Sequence, residues 1–82
     1  MRIAVVSMVL DDPTSVQKEV NEVIGSYKDI IKGRMGVPLP DEDVSIISIA
    51  VVGEVDMINA FTGRLGKISN VQVKTSFSKK EI

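Results

Sequence analysis

The sequence predicts an α+β sandwich, in which an antiparallel four-stranded sheet is covered on one face by two helices. Three observations lead to this prediction. The chain has 82 residues, which is the size of one domain. Its apolar residues follow strand spacing and helix spacing in the order β-α-β-β-α-β. The first and third predicted strands are apolar on both faces, as is typical of the central strands of a sheet.

The first half of the chain is predicted to form a strand, a helix and a second strand. The first strand runs from Arg2 to Leu10, and Asp12 follows it at the position of a helix N-cap. Pro13 then occupies the first helical position, where the missing N–H of proline costs nothing. The apolar side of this helix consists of Val16, Val20, Val23, Ile24 and Tyr27. The helix is expected to end at Gly25 and Ser26, and the second strand is predicted over residues 28–37.

The second half repeats this pattern in a shorter form. A turn over residues 38–42 leads to a third strand from Val44 to Val52, which ends at Gly53. The apolar face of the second helix consists of Met57, Ile58, Phe61 and Leu65. Gly66 is predicted to close this helix in a left-handed cap. The fourth strand alternates apolar and polar residues from Val71 to Phe77, so we expect one domain over residues 1–78 and a polar tail over residues 79–82.

Two halves of this kind are typical of the split βαβ, or ferredoxin-like, sandwich. In that fold the first and third strands lie in the middle of the sheet, and the second and fourth strands lie at its edges. The residues agree with this placement. The first strand has apolar side chains on both sides, and so does the third, whereas the fourth alternates as a half-solvated strand should.

The composition excludes several classes of function. Ten Lys and Arg residues against eleven Asp and Glu residues give a formal charge of −1, which is too little positive charge for a typical phosphate-backbone binder. The chain has no Cys and no His, so it lacks disulfides, thiolate ligands and the commonest general base. The predicted central strands also lack the aromatic residues on which RNA-recognition modules of this fold stack bases. We therefore expect neither an enzyme nor a direct nucleic-acid binder, and we expect no cofactor.

The apolar N-terminal segment raises the question of targeting. The run from Ile3 to Leu10 is far too short to span a bilayer, and no small-residue cleavage site follows it. A signal peptide has a hydrophobic region of similar length, but its removal would take away the most strand-like part of the chain. We therefore expect a buried strand, no membrane association and a cytoplasmic protein.

An apolar sheet face without helices predicts self-association. Two helices cover only one face of a four-stranded sheet, and burying each apolar side chain on the other face is worth about 1.5–3 kcal/mol. Exposed apolar patches of this kind mark interaction surfaces. We expect a homo-oligomer whose interface includes Val5, Ile47, Ile49 and Lys74, formed through the open face or by edge-strand pairing. The alternative is a lone domain cut from a longer chain that covered the sheet.

The stretch from Asp29 to Pro38, with its Gly-Arg-Met-Gly-Val-Pro sequence, is the most distinctive part of the chain. Together with residues 45–49, 65–67 and 71–74, it resembles the iron-only hydrogenase system regulators, and the similarity extends to Ser78. The resemblance implies an ACT-like ferredoxin fold, related to the ligand-sensing domain of nickel-responsive regulators, and association into dimers or tetramers. Those regulators bind nickel through His and Cys, so nickel sensing is not implied for this chain.

Arg34 is the most distinctive candidate for ligand binding. It stands between Gly33 and Gly36 on a predicted edge strand, next to Met35, and the glycines allow close approach to the backbone. A guanidinium group binds a carboxylate or a phosphate through two parallel hydrogen bonds. One hypothesis is that these four residues line a cleft at a subunit boundary and that Arg34 contacts a small anionic ligand. The alternative is that the glycines form a β-bulge and that Arg34 pairs with an acidic residue of a neighbouring subunit.

Two acidic segments are further candidates. Asp11 and Asp12 end the first strand, where ACT-like domains commonly place their first ligand-binding loop, so the resemblance implies a ligand contact there. Helix capping is the alternative explanation for Asp12. The acidic run over residues 41–43 resembles a hard-cation site, but three acids in a hairpin turn are more often only a solvated turn. We therefore predict no metal site.

Two functions agree with the sequence. One is a non-catalytic regulatory domain, an oligomeric sensor of a small ligand, as the resemblance to hydrogenase system regulators implies. The other is an interaction module that oligomerises and acts through a regulatory protein partner without any small ligand. The expected partners are thus other copies of the chain, with either a small anionic ligand or a second protein.

Overall fold

A computed structural model describes all residues from 1 to 82 and has the predicted order of elements. Short 3₁₀ turns, Lys28–Ile30 and Pro40–Glu42, precede the second and third strands. The strands are β1 (Arg2–Asp11), β2 (Ile31–Leu39), β3 (Val44–Gly53) and β4 (Val71–Glu81), and the helices are α1 (Pro13–Ser26) and α2 (Val55–Gly66).

The four strands form one antiparallel sheet in the order β2-β3-β1-β4. The two strands that are apolar on both faces, β1 and β3, lie in the middle, and β2 and β4 form the edges. This confirms the predicted α+β, ferredoxin-like sandwich.

The hydrophobic core lies between the sheet and the helices. Alternate residues of β1 and β3 point to this side, and they meet the apolar faces of α1 and α2. Phe61 is fully buried on α2, and its ring lies 5.1 Å from that of Tyr27, centroid to centroid. The core residues of the sheet are Ala4, Val6, Met8, Leu10, Ile47, Ile49 and Val51, and those of the helices are Val16, Val20, Val23, Ile24, Ile58, Phe61 and Leu65.

Ile47 and Ile49 do not lie on the open face, so their prediction as interface residues was wrong. Ile47 pairs with Met8, and Ile49 pairs with Val6, in the β1–β3 register. Directly paired residues point to the same face of a sheet, and here that face is the one beneath the helices. Both isoleucines are buried, with exposed fractions of 7% and 0%. Because strand side chains alternate, the open face receives Ile46 instead.

The start of α1 is as predicted, but the capping of both helices differs in detail. Asp12 occupies the N-cap position and Pro13 the first helical position. Asp12 has a left-handed backbone (φ 49°), however, and its side chain makes no capping hydrogen bond. Its carboxylate accepts a hydrogen bond from the Thr14 hydroxyl over 3.3 Å instead. Gly66 does not form the predicted left-handed cap. Lys67 follows it as the C-cap residue of α2 and has an ordinary right-handed conformation. The left-handed residue in this connection is Asn70, immediately before β4.

Several strand boundaries moved as well, and β2 includes Pro38 and Leu39, which were predicted to lie in the turn. Residues 79–81, expected in a polar tail, continue β4, and Glu81 pairs with Arg2. The polar side chains of these residues do not prevent strand pairing, because the pairing uses backbone groups. The Ile82 N–H, for example, donates to the Met1 carbonyl over 2.9 Å. The second strand begins at Ile31 instead of Lys28, since residues 28–30 form a 3₁₀ turn that buries Ile30 in the core.

Substitution of Gly53 tests how closely this 3₁₀ turn packs on the sheet. A Cβ atom at Gly53 would lie 2.8 Å from Cγ2 of Ile30, so Gly53→Ala forces the two elements apart. We expect a loss of about 1–3 kcal/mol in the free energy of unfolding, measured by urea denaturation. The matched control is Gly63→Ala on the exposed side of α2, where a Cβ meets nothing within 4 Å. It should stabilise the chain by about 0.5–1 kcal/mol; equal effects of the two variants would contradict the close packing.

Candidate functional site

A groove of about 320 Å³ lies between α1 and the edge strand β2. Its floor consists of three core side chains, Leu10 of β1, Val20 of α1 and Ile47 of β3. Pro13, at the start of α1, and Pro38, near the end of β2, also line it. The volume is at the lower end of the range for small-molecule sites.

The groove exists because β2 presents little side-chain volume to α1. Side chains of a strand alternate between faces, and the residues of β2 that line the groove are Arg34, Gly36 and Pro38. Gly36 lies between the two larger side chains, and a Cβ atom there would meet nothing within 4 Å. The absence of a side chain at Gly36 therefore leaves open the space between helix and strand.

Arg34 is the one charged side chain that lines the groove. Its Nη2 atom donates to Oδ1 of Asn21 on α1 over 3.4 Å, a long hydrogen bond that directs the guanidinium group towards the helix. Gln17 lies one helical turn before Asn21 and lines the same wall, and Ser45 of β3 adds a hydroxyl group. The groove thus combines an apolar floor with one cation and three uncharged polar groups.

The structure divides the four neighbouring candidates of β2 between two faces of the sheet. Arg34 and Gly36 line the groove, whereas Gly33 and Met35 pair with Ala50 and Ser48 on the face without helices, where Arg34 also borders a shallow hollow. The prediction that all four line one cleft was wrong, because consecutive strand residues point in opposite directions. The strand register shifts between Ile31 and Gly33, so the irregular pairing lies just before the first glycine.

Asp11 and Asp12 do not line the groove, although they flank it along the chain between Leu10 and Pro13. Their backbone groups tie together one end of the sheet. Asp11 N–H donates to the Asn70 carbonyl over 2.9 Å, and Asp12 N–H donates to the Asp43 carbonyl over 3.0 Å. Both side chains are exposed. In this position they add negative charge near the groove without contacting it.

The sheet face opposite the helices, which we call the open face, is uncovered. It carries an apolar patch on β1, β2 and β3, which is interrupted by serines and bordered by the polar residues of β4. Val5 lies on this face, and Lys74 pairs with Ser7 on the same face; their place in an interface stays a prediction. A shallow hollow crosses the open face at Gly33, Ser48 and Ala50, where the side chains are small. The large apolar residues that remain most exposed there are Val5 (42%), Met35 (60%), Val37 (40%), Leu39 (37%) and Ile46 (37%).

Sequence reasoning missed Gln17 and Asn21. Both are polar residues outside the apolar side of α1, and both are exposed in the structure. Their spacing of four residues places them on one edge of the helix, next to the buried Val16 and Val20. That edge lies over β2. The signal in the sequence that could have identified these two residues was their spacing of four beside the apolar stripe of the helix.

Two further features of the molecule bear on its class. No group of three or more His, Cys, Asp or Glu side chains comes together as a set of metal ligands, and this includes the acidic turn over residues 41–43. Neither helix is long and apolar enough to cross a membrane.

These features define a class of protein: a small ferredoxin-like α+β domain with a ligand-sized groove beside its edge strand. The family model of the TM1266-like proteins, described as "Iron-only hydrogenase system regulator, putative", matches residues 2–75. The chain belongs to this family, which confirms the resemblance seen in the sequence.

Solved structures agree with this assignment. The uncharacterised protein TM1266 from Thermotoga maritima is 33% identical, with a TM-score of 0.91 over 95% of this chain and 98% of that one. The apo form of CPII from Thiomonas intermedia K12, a nitrogen regulatory PII-like protein, is 10% identical, with a TM-score of 0.60 over 95% and 90% of the two chains. This second similarity concerns the fold alone. Among curated proteins, no significant sequence match was found. The family description indicates a regulatory role.

Proposed function

We propose that this chain is a non-catalytic regulatory module that senses a small anionic ligand and works as a homo-oligomer. The proposal is based on the groove between α1 and β2, in which Arg34 is the single charged group. It agrees with the family description, which names a regulator. The cytoplasmic location stays a prediction from the sequence.

The groove supports ligand binding through its mixture of polar and apolar groups. Small-molecule sites are concave and largely apolar, with a few polar groups that fix the orientation of the ligand. Here Arg34 and Asn21 face each other across the groove, and the floor is formed by core residues that are already fixed in place. A ligand would therefore meet a preformed surface and would not have to order it.

The open face supports assembly through its area and its apolar residues. Strands of ten residues extend about 33 Å, and four strands at their usual spacing are about 19 Å wide. Two such faces packed together would bury on the order of 1,200 Å², which is at the lower limit of stable interfaces. A second copy supplies a matching apolar patch, because the same residues recur on both partners of a two-fold interface.

The open face also supports a second candidate function, in which the chain binds a regulatory protein partner without any small ligand. Exposed apolar patches mark interaction sites, whatever the partner. In this case the groove would stay empty during function. The two candidates therefore differ in whether a small molecule binds at all.

A thermal-shift screen over amino acids, other small carboxylates, nucleotides and divalent cations separates the two functions. A ligand that binds only the folded state stabilises it by about 2.7 kcal/mol at one hundred times its Kd. In a domain of this size that raises Tm by roughly 10 °C or more. We expect at least one compound to raise Tm in the wild type. If no compound moves Tm, the sensor function is contradicted and the protein-partner function takes its place.

A further inference from the structure

We infer that the groove selects a small monocarboxylate with an aliphatic body and no α-amino group. The carboxylate would bind the Arg34 guanidinium group, and the aliphatic body would lie against Leu10, Val20 and Ile47. This inference rests on the proposed function, since it names the chemical class of the sensed ligand.

The charge of the groove indicates an anion with a single negative charge. A guanidinium group has five N–H donors, and the structure uses one hydrogen bond from Arg34, the one to Asn21. The remaining donors fit the two oxygens of a carboxylate in the bidentate geometry that planar carboxylates and guanidinium groups share. One cation balances one negative charge, and no second cation lines the groove.

Phosphate fits this groove poorly. Phosphate sites normally use several backbone N–H groups at the start of a helix. At the start of α1, Pro13 has no N–H, and Ser15 N–H already donates to the Asp12 carbonyl over 3.0 Å. The exposed carboxylates of Asp11 and Asp12 lie next to this end along the chain and disfavour a dianion.

The absence of acidic residues in the lining disfavours an amino acid. An α-ammonium group needs a carboxylate or several carbonyl oxygens to replace its water. No Asp or Glu lines the groove, and Oδ1 of Asn21 already accepts a hydrogen bond from Arg34. A carboxylate without an amino group avoids this cost.

NMR titration of the ¹⁵N-labelled chain with four matched probes tests the inference. The probes are 4-methylpentanoate, leucine, which adds an α-amino group, 4-methylpentanamide, which removes the charge, and inorganic phosphate. We expect saturable shifts of Asn21, Arg34 and Gly36 with 4-methylpentanoate. Leucine and the amide should bind at least about tenfold more weakly than 4-methylpentanoate. The amide has no negative charge to strengthen its hydrogen bonds with Arg34, and the α-ammonium group of leucine lacks the acceptors that it needs. Phosphate should leave these resonances unshifted.

Two glycine variants provide the matched control. Gly36→Val fills the groove, and Gly33→Val adds the same side chain on the open face; a Cβ meets nothing within 4 Å at either site. We expect Gly36→Val to abolish binding of 4-methylpentanoate and Gly33→Val to leave its Kd unchanged. Arg34→Gln should weaken binding at least about tenfold.

The results of the titration and of the thermal-shift screen test the carboxylate inference and the proposed function separately. Equal or tighter binding of leucine, the amide or phosphate, or no saturable shift with 4-methylpentanoate, would overturn the carboxylate inference. The proposed function would still stand if the thermal-shift screen had found another ligand. If that screen finds no ligand and 4-methylpentanoate does not bind, both the carboxylate inference and the sensor function are contradicted.

Discussion

Ile49→Lys is expected to unfold the chain, whereas Ile46→Lys leaves it folded. Ile49 is fully buried in the middle of β3, between the sheet and the helices. The change removes about 1.5–3 kcal/mol of apolar burial and places an ammonium group in the core at a cost of several kcal/mol more. A domain of this size has roughly 5–15 kcal/mol of stability in total. Far-UV circular dichroism and thermal melting measure the loss.

Ile46 is the matched control because it is the same residue type on the opposite face of the same strand. Its side chain is already 37% exposed, so a lysine there can extend its charged end into water. We expect Ile46→Lys to keep the wild-type spectrum and to melt cooperatively. A cooperative, wild-type-like melt of Ile49→Lys would contradict the assignment of faces in β3.

Phe61→Ala is expected to produce the second large effect, a loss of about 3–5 kcal/mol in the free energy of unfolding. Phe61 is fully buried on α2, and its ring packs against the Tyr27 ring at 5.1 Å, so the truncation leaves a cavity at the contact between the helices. Urea denaturation with a two-state fit measures the change.

Phe61→Leu is the control for cavity size. Leucine retains most of the apolar volume, so we expect a loss of no more than about 1.5 kcal/mol. The difference in the free energy of unfolding between the two variants then measures the cost of the cavity. A loss below about 1 kcal/mol for Phe61→Ala would show that the ring does not pack as the structure places it.

The fold could be predicted from the sequence because β1 and β3 are apolar on both faces and β4 is not. That difference alone places β1 and β3 in the middle of the sheet. The faces of β3 could not be assigned in the same way, since Ile46, Ile47 and Ile49 are the same residue type on two sides. Only the register with β1, which pairs Ile49 with Val6, decides which isoleucines are buried.

The candidate site was predictable in part for a related reason. Arg34 and Gly36 were distinctive in the sequence, and both line the groove. Gly33 and Met35 were equally distinctive, but the alternation of β2 places them on the open face. Gln17 and Asn21 were missed because a polar residue on a helix edge looks solvated until the strand beside it is known.

Sedimentation equilibrium tests the central claim, assembly through the open face, most directly. We expect the wild type at micromolar concentration to have at least twice the mass of the 8.9 kDa chain. Ile46→Lys should shift it to a folded monomer, because a charge among the exposed apolar residues of the open face would have to be buried in the interface. A wild type that stays at 8.9 kDa throughout the micromolar range, or an oligomer that Ile46→Lys leaves intact, would contradict the proposal.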